Sequence, residues 1–168
     1  GLERLLQTLI QKGVLTLACD IQDSTHASLA FASCPTHGVL HAAGVSTKDA
    51  LHNVDVGHLA TAFGPKAFGA TNIHAATAQC SLDASILISS VSTFWCRPGQ
   101  GCYAAANAFL DAHAHASRGA HGQSCLSLSL PGVEGMGMGA ALNVRRSIQM
   151  SLDEYDTSIA FMLMANFA

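Results

Sequence analysis

The 168 residues amount to roughly one domain at about 150 residues per domain. With 49% hydrophobic and only 11% charged residues, less than half the ~25% usual for soluble domains, the chain carries enough apolar surface to offset its conformational entropy, which excludes a disordered protein. A net charge of −3 without a basic run excludes a nucleic-acid backbone as partner, and the uncharged stretch from Ala67 to Leu82, with its Asn72, His74 and Gln79, falls short of the ~20 apolar residues of a membrane span.

Leu2 to Gln11 has apolar residues at helical spacing and stops before Gly13, a C-cap residue, so it predicts a helix. Val14 to Ala18 is a short apolar run that predicts a buried strand, with Asp20 at its carboxyl edge. Gly38 to His41 predicts a second strand, leading into Ala42-Ala43-Gly44. Pro65 to Gln79 predicts a helix with proline at a favourable early position. Ala84 to Val91 predicts a third strand, Tyr103 to Ser117 an Ala-rich helix ending near Gly119, and Ser124 to Leu130 a fourth strand.

Apolar strands alternating with helices make an α/β domain whose parallel sheet is covered on both faces. Right-handed crossovers make it doubly wound. Ligands of such sheets bind outside the carboxyl ends of the strands, which places Asp20, Gly44, Ser90 and Pro131-Gly132 along one rim. The Gly-Met-Gly-Met-Gly run at 135–139 has the wrong glycine spacing for a dinucleotide fingerprint and reads as a mobile loop.

Cys19, Cys34, Cys80, Cys96, Cys102 and Cys125 include no Cys-x-x-Cys pair. They are expected to be buried free thiols of a reducing, cytoplasmic compartment. The nine histidines include no His-Glu-x-x-His, and His113 and His115 fall on different helix faces, so no metal site is expected. The chain begins Gly-Leu-Glu-Arg, with neither Met nor a targeting segment, and is expected to be part of something longer.

The chemistry concentrates on the rim. Tyr103 and Asn107 are four apart and share one helix face. Ser90 ends the strand before that helix, and Lys66 starts an earlier helix that reaches the same rim. These four side chains suit carbonyl reduction. Tyr103 donates a proton to the carbonyl oxygen and Ser90 hydrogen-bonds it. Lys66 favours tyrosinate and so lowers the tyrosine pKa from ~10, while Asn107 holds a water that resupplies the proton.

Ser89-Ser90-Val91-Ser92 and the run from Pro98 through Gly99, Gln100, Gly101, Cys102, Tyr103, Ala104, Ala105, Ala106, Asn107, Ala108, Phe109 and Leu110 to Asp111 resemble the ketoreductase domain of type I polyketide synthases, within the short-chain dehydrogenase/reductases. Gly38 to Val45 and Pro65 to Ala70 are similar to the same family. Ordinary short-chain dehydrogenases have lysine four residues after the tyrosine; here Asn107 stands there and the lysine is Lys66, as in these ketoreductases. The resemblance implies a Rossmann-like doubly wound sheet. It also implies NADPH-dependent reduction of a β-ketoacyl thioester on the phosphopantetheine of an acyl carrier protein, with other synthase domains in cis. It assigns Asp20 to the adenine end of the cofactor and Ala42, Ala43 and Gly44 to the stretch beside it, with Pro131 and Gly132 at the nicotinamide. Trp95, eight before Tyr103, and Gln100, three before it, resemble the A-type, non-epimerising members, and Ser46-Thr47-Lys48-Asp49 stands where B-type members carry Leu-Asp-Asp.

Two departures follow. The family's first two strands, with the Gly-rich turn that holds the pyrophosphate, are not in these residues; in the family's sheet order they lie between Val14–Ala18 and Gly38–His41. The chain by itself is therefore expected neither to bind NADPH tightly nor to fold fully. Leu130-Pro131-Gly132-Val133 also replaces the family's Trp-Gly-Pro-Trp. Residues 1–140 are expected to form the partial ketoreductase domain and 141–168 a helical extension of it. The rival readings are a fatty-acid-synthase-type β-ketoacyl reductase and a non-catalytic remnant serving as a structural or docking module.

Overall fold

Three of the four predicted strands form one parallel sheet: β1 (Gly38–His41), β2 (Ala84–Ser90) and β3 (Cys125–Leu130), in the order β1-β2-β3. A computed structural model describes residues 2–121, 124–133, 149–151 and 153–159. The register pairs His41 with Leu87, and Ser85 with Cys125. Side chains alternate across a strand, so His41, Leu87, Ser89, Cys125 and Ser127 share one face, while Leu40, Ile86, Ile88 and Leu128 share the other.

Of the helices α1 (Leu2–Gln11), α2 (Ser24–Ala32), α3 (Val56–Phe63), α4 (Gly69–Ala76) and α5 (Gly101–His121), α5 packs on β2 and β3, while α2 packs on α4 and α3 on α5. The core on the His41 face joins Ala70 of α4 and Leu110 and Ala114 of α5 to Leu87 and Cys125. Along α5 the buried residues Cys102, Ala106, Leu110 and Ala114 recur every four positions, a stripe on one side of the helix. A second cluster packs Cys102 and Ala106 against Ala62 of α3.

The predicted strand Val14–Ala18 is not formed; these residues are irregular, and Val14, Leu15 and Leu17 are exposed. A parallel strand needs a hydrogen-bonded neighbour, and among the described residues none lies beside it. Asp20 consequently sits in a turn, its Oδ1 accepting from the Gln22 backbone N–H at 3.0 Å. Gly13 does cap α1, with φ +77° and its N–H on the Ile10 carbonyl.

Two helices went unpredicted although each carries a start signal. Asp23 caps α2 by accepting from the backbone of Thr25 and His26, and Asp55 and His58 form a reciprocal capping box at the start of α3. The predicted helix start at Pro65 is also corrected: α3 runs directly into a π-helical turn, Gly64–Phe68, and on into α4. Only Cys102 and Cys125 of the six free thiols are buried; Cys19, Cys80 and Cys96 are exposed and Cys34 is half-buried. The glycine run at 135–139 and most of 141–168 lie outside the described residues. Within that last segment, β5 (Gln149–Met150) pairs in parallel with β4 (Gly132–Val133), and residues 153–159 are helical.

Candidate active site

Lys66 is the residue around which the rim is organised. Although it is a cation it is 3% exposed, and its Nζ donates to the Ile88 carbonyl at 3.0 Å, two residues before Ser90. The same Nζ lies 5.7 Å from the centroid of the Tyr103 ring, within cation–π range. Burial pulls the lysine pKa down from 10.5 to about 8, against the nearby Asp111 carboxylate, which raises it.

Asn107 lies one turn below Tyr103 on α5 and is fully buried. Its Nδ2 donates to the Tyr103 carbonyl at 2.8 Å, and its own carbonyl accepts from Ser89 Oγ at 3.3 Å. Its Oδ1 is a buried acceptor without a protein partner. Ser90 ends β2 in extended backbone, and its Oγ accepts from the Ser92 N–H at 3.1 Å, capping the short 3₁₀ turn Val91–Thr93. The end of β2, the start of α5 and the π-helical turn therefore bring the Ser89–Ser90 pair, Tyr103 and Asn107, and Lys66 to one edge of the sheet.

Ala42, Ala43 and Gly44 leave the carboxyl end of β1 on the same edge. A Cβ at Gly44 would stand 2.8 Å from Lys66 Cε and 3.2 Å from its Nζ, so any larger residue here would push the lysine side chain from its present place. Gln100 is buried, with Nε2 on Ser46 Oγ at 3.3 Å, and the neighbouring Gly99 accepts the Asp49 N–H at 2.9 Å while adopting φ +82°. These bonds join the loop after β1 to the loop before α5. Trp95 stands apart from that clasp and is 73% exposed. Pro131 and Gly132 follow β3 at its carboxyl end, Gly132 paired with Gln149. Asp20 is the one predicted site residue with no described tie to this edge.

The family profile of the KR domain matches residues 2–135. The chain belongs to the ketoreductase (KR) domains of polyketide synthases, in the short-chain dehydrogenase/reductase superfamily. It is 41% identical over 106 residues to 6-methylsalicylic acid synthase of Aspergillus niger, covering 63% of the chain and 6% of that synthase. It is 36% identical over 147 residues to polyketide synthase GfsA of Streptomyces halstedii, covering 83% and 2%. Among solved structures, an A1-type ketoreductase superposes with TM-score 0.87 at 28% identity, and the first ketoreductase of the tylosin polyketide synthase with 0.83 at 29%. Each covers 98% of this chain, and the chain covers 37% and 38% of those chains respectively. The chain thus spans a few per cent of the curated synthases it matches and over a third of those two ketoreductases.

Nicotinamide cofactors serve this KR family. The edge described here fits the nicotinamide end of such a cofactor: three small residues leave β1 where Gly44 crosses Lys66, and Asn107 offers a buried acceptor. The Gly-rich turn for the pyrophosphate is not in the 168 residues. No described helix is long and apolar enough to cross a membrane.

Proposed function

We propose that this KR domain reduces a β-ketoacyl thioester, carried on the phosphopantetheine of an acyl carrier protein, to the β-hydroxyacyl thioester, using NADPH. The observation that carries the reading is the nearly buried Lys66 ammonium held between the Ile88 carbonyl and the Tyr103 ring. Bound NADPH supplies the hydride that adds to the carbonyl carbon. Tyr103 gives its phenolic proton to the carbonyl oxygen, so that the ketone gains one hydride and one proton. Lys66 lowers the energy of the tyrosinate left behind, Ser90 donates to the same oxygen, and Asn107 Oδ1 accepts from the water that returns the proton. Ala42, Ala43, Gly44, Pro131 and Gly132 would hold the nicotinamide half, and Asp20 the adenine end.

The A-type stereochemical course is supported by Trp95, by Gln100 and by the likeness to an A1-type ketoreductase. The carrier protein and further synthase domains in cis are supported by the length of the relatives, and cytoplasmic residence by the free thiols of this chain. The 168 residues by themselves are proposed to be inactive, since no Gly-rich turn is among them.

The test is ketone reduction by the full-length polypeptide, followed by NADPH absorbance with a β-ketoacyl thioester surrogate and by chiral analysis of the product. Tyr103→Phe is expected to cost ~10²–10⁴ in kcat, the range of a lost general acid. Turnover unaffected by both Tyr103→Phe and Lys66→Ala overturns the mechanism.

A further inference from the structure

We infer that His41 is a positioning residue for Lys66: from the end of β1 its imidazole holds the π-helical turn that aims the lysine at Tyr103. The inference rests on the reading of Lys66 and Tyr103 as the reducing pair.

Three observations converge. First, His41 is buried on the helix-covered face, and its Nε2 lies 3.2 Å from the Lys66 carbonyl oxygen. A carbonyl cannot donate, so Nε2 carries the proton and donates. Secondly, Lys66 sits in the π turn Gly64–Phe68, whose Pro65 has no N–H for the helical ladder. The Gly69 N–H bonds there to Gly64 and Lys66 carbonyls rather than to the fourth residue back. The turn departs from the regular ladder where Lys66 stands, and His41 supplies the Lys66 carbonyl with a donor from another element. Thirdly, the close approach is built for. A Cβ at Gly69 would stand 3.0 Å from His41 Cε1 and 3.0 Å from Ile21 Cγ2, so the first residue of α4 has to be small for the imidazole to lie beside it.

Both ends of Lys66 are thereby fixed, the backbone by β1 through His41 and the ammonium by β2 through Ile88. Without the His41 bond the π turn can tighten towards α geometry, where each residue advances about 100° around the axis, and Lys66 swings off the Tyr103 ring. The ionisable groups around the lysine are Tyr103 and Asp111 from α5 and His41 itself, which burial keeps neutral.

The test compares wild type, His41→Gln, His41→Leu and Gly69→Ala in the full-length polypeptide. Gln places an amide N–H near the Nε2 position, Leu removes the donor, and Gly69→Ala displaces the imidazole while improving helix propensity, so it serves should His41→Leu misfold. One readout is the pH dependence of kcat/KM. The other is competitive acetylation of Lys66 by trace acetic anhydride, read by mass spectrometry, which needs no turnover. The labelling midpoint of wild type is expected at about 8. In His41→Leu and Gly69→Ala it should rise towards the ordinary 10.5 as the ammonium reaches water, with kcat falling and KM little changed. His41→Gln should keep the wild-type midpoint and most of the rate. Labelling midpoints that do not move in His41→Leu or Gly69→Ala overturn the inference, as does a Gln variant that behaves like Leu. Midpoints that move as expected in a protein that reduces no ketone leave the inference standing and remove the ketoreductase reading instead.

Discussion

An ammonium that water barely reaches keeps its proton less firmly, and at Lys66 this has a kinetic consequence. The lysine supports Tyr103 only while charged, and burial sets its pKa at about 8. As pH rises through that value the cation is lost, and kcat/KM for ketone reduction is expected to fall. Lys66→Arg, whose guanidinium stays charged over this range, should lower the overall rate but abolish that alkaline limb; an unchanged limb in the arginine variant would assign it to another group. At this scale much was legible. The four-residue step from Tyr103 to Asn107 and the strand-end position of Ser90 are local spacings, and they survive into the fold. His41 was not legible as a partner of Lys66, because their contact crosses 25 residues and depends on a π turn that no periodicity announces. The strand expected before Asp20 was not legible either way, since Val14–Ala18 is apolar but has no strand beside it among the described residues.

Elements are where glycine geometry decides the outcome. Gly99 adopts φ +82° while its carbonyl receives the Asp49 N–H, so it anchors the clasp between the loop after β1 and the loop before α5. An alanine there pays the left-handed penalty of about 1–2 kcal/mol and strains a bond that fixes buried Gln100. Gly99→Ala should lower the stability of the domain by about that amount and erode the stereochemical purity of the alcohol, measured by thermal unfolding and chiral chromatography; unaltered product purity would show that the clasp does not direct the substrate. Strands β1, β2 and β3 and the helices α1 and α5 were readable because each is a continuous run with its own apolar pattern. Helix α2 was hidden by the absence of a clear polar face, its start marked only by Asp23. Val14–Ala18 misled because apolar character states a tendency to be buried, whereas strand formation also needs a neighbour.

For the whole molecule, two imidazoles are withdrawn from water: His41, buried on β1, and His113, half-buried on α5 beside His74 of α4. Burial lowers both pKa values below the ordinary 6.5. Below that pH the unfolded chain takes up protons that the folded state refuses, so stability is expected to fall as pH drops through about 6 and to be flat, as far as these groups go, above 7. The thermal midpoint should decline between about pH 7 and 5, and less so when His113 is replaced by Gln; a constant midpoint would mean that both imidazoles remain accessible to protons. The strand order has a consequence of another kind. Among the described strands of the main sheet, β2 pairs with β1 and β3 with β2, so each of the two joins a strand made before it. These two strands can therefore be added in the order in which they are synthesised, with Lys66 and Tyr103 made, in that order, on either side of the strand that brings them together.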